Sequence, residues 1–335
     1  MPDMARIGLV LGGGGVVGQA YHAAVLAALH EATGWDPRDA QLVAGTSAGA
    51  ASGAELRAGL SGADMAARRD GGRFSAEGER LLRSLGPPPQ VVPRPVRVDP
   101  DRMRRAFRRA LGRSMMRPGS VPPGVLTSLA ASPGRLSAAW LSEQVRWLHG
   151  GDGWPERAFW SCAVDVDDGR RVVFGRDDAP PAPLGEAVEA SCAIPGVFAP
   201  VRIGRRLYID GGAWSASNAD VVAGAGLDLV IVVSPMTGAP GAIADRRTGW
   251  IRGACRWMLM SEVANVKRGG ARVAIIEPEA ADLRCMGRPI GSDAVDERRC
   301  PAVVEQVYAF TLARLRAERI PGLRDLGDEG GAVVA

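Results

Sequence analysis

The chain has 335 residues, 46% of them apolar and 23% charged, with a formal net charge of +4 and a pI near 9.0. That is enough to bury a full core, and one domain over residues 5–320 is favoured over two, with 321–335 as a tail. The charge balance is too small to indicate nucleic acid, and five cysteines without paired spacing beside only three histidines indicate no zinc site.

The apolar run from residue 5 stops at glycines within a few residues, so no secretory h-region is read. No uninterrupted stretch is long enough to span a bilayer. The expectation is a cytoplasmic protein in a reducing compartment, able to touch the inner membrane face peripherally.

In chain order, residues 5–11 predict a strand, Gly12 to Gly15 form a glycine run, and 19–33 predict a helix with a broad small or apolar face that includes Ala20, Ala24 and Leu26. Such a loop exposes backbone N–H groups at a helix N-terminus and is built to hold an anion. Gly13-x-Gly15-x-x-Gly18 also matches the dinucleotide fingerprint, which wants an acid at the end of the second strand. Here the second strand, 41–46, ends instead in Gly45-Thr46-Ser47-Ala48-Gly49, and Asp36 and Asp39 precede it. That string is a nucleophile-elbow pattern, a serine on a tight strand-to-helix turn before a helix at 48–60. The glycine run is therefore read as an oxyanion hole serving Ser47.

The stretch 60–157 is Pro- and Arg-rich and insertion-like, with loops at Pro87-Pro88-Pro89 and Pro122-Pro123-Gly124. Within it, 99–112 predicts a basic helix carrying Arg102, Arg104, Arg105, Arg108 and Arg109, with Met103, Phe107 and Leu111 on an apolar face. A solvated face is favoured over contact with anionic lipid or steering of a phosphate-bearing substrate. Further strands are predicted at 159–164, 171–174, 206–209, 228–234 and 273–277, and a closing amphipathic helix at 301–318. Trp250, Ile251, Ala254, Trp257 and Met258 recur at helical spacing over 249–266 and are expected in the core; failing that, they would contact acyl chains or membrane. The strand at 206–209 delivers Asp210 into Gly211-Gly212, preceded by Ser191-Cys192-Ala193-Ile194-Pro195-Gly196-Val197-Phe198 and followed by Asn218.

Three blocks in this order, the glycine loop, the elbow and Asp210-Gly211-Gly212 with its lead-in, resemble the patatin-like phospholipase family. The resemblance implies an α/β layered fold, a central mostly parallel sheet flanked by helices. It also implies a Ser-Asp dyad, with Ser47 as nucleophile, Asp210 as base and the amides of Gly13, Gly14 and Gly15 as oxyanion donors. Gly18, Gly45, Gly49, Gly211 and Gly212 support the motifs, and neither metal nor cofactor is needed. The implied activity is lipid acyl hydrolysis on a lipid or ester substrate, the alternative being a non-catalytic lipid-binding protein that keeps the fold. A free aspartate has a pKa of about 3.9, so Asp210 must be raised by burial, for which Tyr208, Ile209 and Trp214 provide an apolar setting. A Ser-His-Asp triad would need a histidine after the acid, and His22, His30 and His149 all precede it. The chain departs from the family in having Val17 where Arg or Lys is usual, expected to pack beneath the first helix.

Overall fold

The computed structural model describes residues 5–90, 94–243, 249–317, 320 and 323. Among them, eight strands form one sheet: β1 (Ile7–Leu11), β2 (Leu42–Thr46), β3 (Ala158–Asp165), β4 (Arg171–Phe174), β5 (Val201–Ile203), β6 (Arg206–Asp210), β7 (Leu229–Val233) and β8 (Arg272–Ile276). Their order is β5-β6-β3-β2-β1-β7-β8, with β4 also paired to β3. The five strands from β3 to β8 in that order are parallel, and β4, β5 and β6 complete an antiparallel edge. The fold is thus α/β with a central mostly parallel sheet.

The chain builds outward from β1 to β2 and β3, then returns to place β7 and β8 on the other side. Ligands in open α/β sheets bind beyond the carboxyl ends of strands at such a reversal, and here the glycine loop occupies that position. Side chains alternate along the central strands. Ile7, Leu9, Leu11, Leu229, Ile231 and Val233 face one core, whereas Val10, Val230 and Val232 face another. Burial on both faces explains why these strands read as nearly unbroken apolar runs.

Eleven α-helices lie among the described residues: α1 (Gly15–Thr33), α2 (Ala48–Arg57), α3 (Gly62–Asp70), α4 (Ala76–Leu85), α5 (Pro100–Met116), α6 (Pro123–Ala130), α7 (Ala139–His149), α8 (Leu184–Ser191), α9 (Gly249–Arg268), α10 (Ala280–Met286) and α11 (Cys300–Arg316). The first core joins α1 to α11, whose Val303, Val304 and Val307 are buried; Val17 is buried there too. The second core is closed by Leu259, Val263 and Val266 of α9. None of these helices is long and apolar enough to cross a membrane.

Helix α1 begins four residues before the predicted start, because the glycine run itself supplies its first turn. Glu318, the predicted end of the last helix, and the tail at 321–335, Leu323 excepted, lie outside the described residues. The stretch 60–157 contributes to the cores. Met103, Ala106 and Ala110 of α5 and Val125 and Leu129 of α6 pack with Val164, Leu207 and Ile209, behind the strand that ends in Asp210. Arg102 and Arg109 of α5 both pair with Asp167, which binds this basic helix to its own protein.

The tryptophan stripe on α9 is not core: Trp250 is 71% exposed and Trp257 76%. The helix is turned the other way because its inward positions hold Arg252 and Glu262 together with Leu259, Val263 and Val266. Both charged residues find hydrogen-bond partners inside, so the docked side carries polar anchors beside its apolar ones.

Candidate active site

Ser47 sits between β2 and α2 with φ 53° and ψ −120°, a conformation that costs a non-glycine residue energy and persists only where surroundings enforce it. Enforcement comes from close packing. A Cβ on Gly49 would fall 1.9 Å from the Leu11 carbonyl oxygen, and one on Gly45 would fall 2.4 Å from that of Gly49. The elbow is therefore pressed against the end of β1 and against its own turn.

Strand register brings the acid to the same level. Thr46 is opposite Cys162 on β3, so Ser47 comes level with Ala163, which is opposite Asp210 on β6. Above the intervening strand, the Ser47 hydroxyl donates to Asp210 Oδ2 at 2.7 Å. The Gly212 amide donates to Oδ1 at 2.7 Å. Asp210 is 4% exposed, and burial pushes its pKa up to about 6, although the bonds from Gly212 and Ser47 pull the other way.

The lead-in to β6 holds the elbow from outside. Ser47 N–H donates to Ser191 Oγ at 2.9 Å, and that hydroxyl donates to the Cys162 carbonyl at 2.6 Å. The Cys192 thiol donates to the Ser47 carbonyl. Asn218, buried at φ 50°, donates to Thr46 Oγ1, to the Gly211 carbonyl and to the Ser215 carbonyl, tying the serine strand to the aspartate turn. Its Oδ1 accepts from Arg171, which is bidentate to Asp220. The sequence marked Ser191, Cys192 and Asn218 as parts of a pattern without assigning them these tasks.

The glycine loop lies beside the elbow: a Cβ on Gly13 would be 3.6 Å from that of Ser47. Gly12 N–H donates to the Val233 carbonyl and Gly13 N–H to the Ala216 carbonyl at 2.7 Å, so the Gly13 donor is already engaged. The amides of Gly14 and Gly15 have no acceptor among the described residues, as befits the unsatisfied first turn of a helix. Gly18 N–H closes that turn onto the Gly14 carbonyl.

Arg252 supports the loop from the far side, a role no motif announced. It is 3% exposed, and its Nη1 donates to the carbonyls of Pro235 and Thr237, both at 2.9 Å. Its Nη2 donates to the Gly287 carbonyl. Burial lowers its pKa to about 10. The Pro235 ring in turn abuts the positions where Gly14 and Gly18 would carry a Cβ.

None of the three histidines hydrogen-bonds to Ser47 or Asp210. His22 is buried against Ser52 Oγ, and burial drops its pKa to about 3. His30 meets the Trp35 carbonyl, and His149 ends α7 facing the Ala54 carbonyl. A surface cleft of about 260 Å³ lined by His30, Asp36, Arg38, Ser61 and Glu77 includes neither Ser47 nor Asp210.

The family model described as patatin-like phospholipase matches residues 9–223. Uncharacterized NTE family proteins of Mycobacterium bovis and Mycobacterium tuberculosis are 40% identical over 74 residues, 22% of this chain. The match spans only 19% of the length of those relatives. VipD from Legionella pneumophila superimposes with a TM-score of 0.44 at 18% identity, covering 93% of this chain and 67% of that one.

Proposed function

The chain belongs to the patatin-like phospholipase family, and from that premise we propose that it is a lipid acyl hydrolase acting on carboxylic esters through an acyl-Ser47 intermediate. Asp210 takes the hydroxyl proton as Ser47 Oγ attacks the ester carbonyl. The oxyanion that develops is stabilised by the amides of Gly14 and Gly15, Gly13 being engaged with Ala216. The departing alcohol recovers the proton from Asp210, and water activated by the same carboxylate then releases the acid. One observation carries this reading: a buried serine hydroxyl donates directly to a buried carboxylate at 2.7 Å, without a histidine between them.

The single sheet supports treating 5–320 as one acyl hydrolase domain, with α5 and α6 of the 60–157 stretch packed behind the strand that ends in Asp210. Five free cysteines support a cytoplasmic setting, and a peripheral contact with anionic membrane completes the reading.

The test is hydrolysis of short and long p-nitrophenyl esters and of phospholipid vesicles by the wild type, Ser47→Ala and Asp210→Asn, with folding checked by circular dichroism. Both variants are expected to fold and to lose turnover by at least about a thousandfold. A folded Asp210→Asn retaining most activity would overturn the dyad; a wild type inactive on every ester would turn the reading toward lipid binding.

A further inference from the structure

Helix α9 buries two of its charged residues beside Leu259, Val263 and Val266 and turns an uncharged face outward. Before its last two residues, its exposed positions are Trp250, Gly253, Ala254, Trp257, Met260, Ser261 and Ala264, none of them charged. At about 100° per residue these positions fall within roughly a third of the helix circumference. The three charged residues of the same stretch lie outside that sector. Arg252 is bound to carbonyls, Arg256 pairs with Glu277, and Glu262 accepts from Ser217 Oγ and the Ala219 amide. Lys267 and Arg268 then end the helix at exposed positions.

We propose that this outer face of α9 is a lipid-surface contact, seated at the headgroup level of an anionic membrane by Trp250 and Trp257 with Lys267 and Arg268 meeting anionic headgroups. The indoles stand about 10 Å apart along the axis, a spacing that suits a helix lying in the interfacial plane. Their amphipathic rings favour that boundary over either water or hydrocarbon. A second copy of the chain fits less well. Two fully covered indoles contribute roughly 150–250 Å² each, and the small residues between them add little, against the roughly 800 Å² per partner of a stable dimer.

Position gives the contact its purpose. Arg252 fastens the first turns of α9 to Pro235 and Thr237, just beyond the carboxyl end of β7, which is the sheet end where β1 and β2 deliver the glycine loop and Ser47. That purpose rests on the hydrolase reading, whereas the contact itself does not.

Binding is therefore measured in the Ser47→Ala background, by cosedimentation with vesicles of phosphatidylcholine mixed with phosphatidylglycerol. Ser47→Ala is expected to partition onto them, and the added pair Trp250→Ala and Trp257→Ala to weaken partition about tenfold or more with an unchanged melting curve. Lys267→Ala with Arg268→Ala should weaken binding to these vesicles and spare that to phosphatidylcholine alone. In the active background, the tryptophan pair should leave turnover of a short soluble ester unchanged. Equal partition with and without the indoles would overturn the proposal. So would a concentration-dependent dimer, lost in the tryptophan variant, with no vesicle binding. If Ser47→Ala binds vesicles while the wild type hydrolyses nothing, the contact stands and the hydrolase reading falls.

Discussion

An ordinary aspartate, with a pKa of about 3.9, holds a proton too weakly to draw one from an alcohol efficiently. Burial moves Asp210 to about 6, which leaves it ionised at neutral pH yet a stronger base. In the proposed mechanism the ionised form accepts the proton, so kcat/KM on a soluble ester should rise with pH, reaching half its plateau near pH 6 and falling about tenfold per pH unit below. A profile flat down to pH 5 would show that another group is the base. Ser47 and Asp210 were legible in the sequence because each stands in a short motif whose small neighbours reveal a tight turn. The engagement of the Gly13 amide was not legible, since its acceptor, Ala216, lies some two hundred residues away and a carbonyl leaves no mark in the sequence.

Among the elements, α9 and the region around 60–157 departed most from expectation. Periodicity located the tryptophan stripe but not the direction it faces. That depends on partners for Arg252 and Glu262, which only the folded chain supplies. Likewise α5 was legible as basic and helical, but its ion pairs with Asp167 between β3 and β4 and its packing behind β6 were not. The inner side of α9 acts as a brace: Arg252 fixes Pro235 against the glycine loop, and Glu262 fixes the Ser217–Ala219 turn beside Thr46. Arg252→Met should therefore lower kcat on a soluble ester by on the order of a hundredfold while KM stays within about twofold, because the loop's donors are displaced while substrate contacts persist. Arg252→Lys, which restores part of the hydrogen bonding, should recover part of that loss. Equal turnover in Met and wild type would remove Arg252 from the support of the site.

For the molecule as a whole, buried carboxylates set the response to acid. Burial raises Glu189 to about 7 and Asp210 to about 6. Each then binds its proton more tightly folded than unfolded, and its contribution to stability is greatest at low pH and lost as pH rises through these values. Calorimetric melting should accordingly occur a few degrees higher at about pH 5 than at about pH 8, the two carboxylates outweighing His22, which burial holds neutral down to about pH 3 and which opposes them below the ordinary histidine range; the opposite slope would mean that His22 outweighs them. The sheet order has one more consequence, in the time course of synthesis. The glycine loop and Ser47 follow adjacent strands and are made close together, whereas Asp210 follows Ser47 by 163 residues and arrives on the antiparallel edge. In the proposed mechanism a nascent chain therefore carries Ser47 as an ordinary alcohol over all the residues between it and Asp210, and hydrolysis awaits the closing of that edge beside β3.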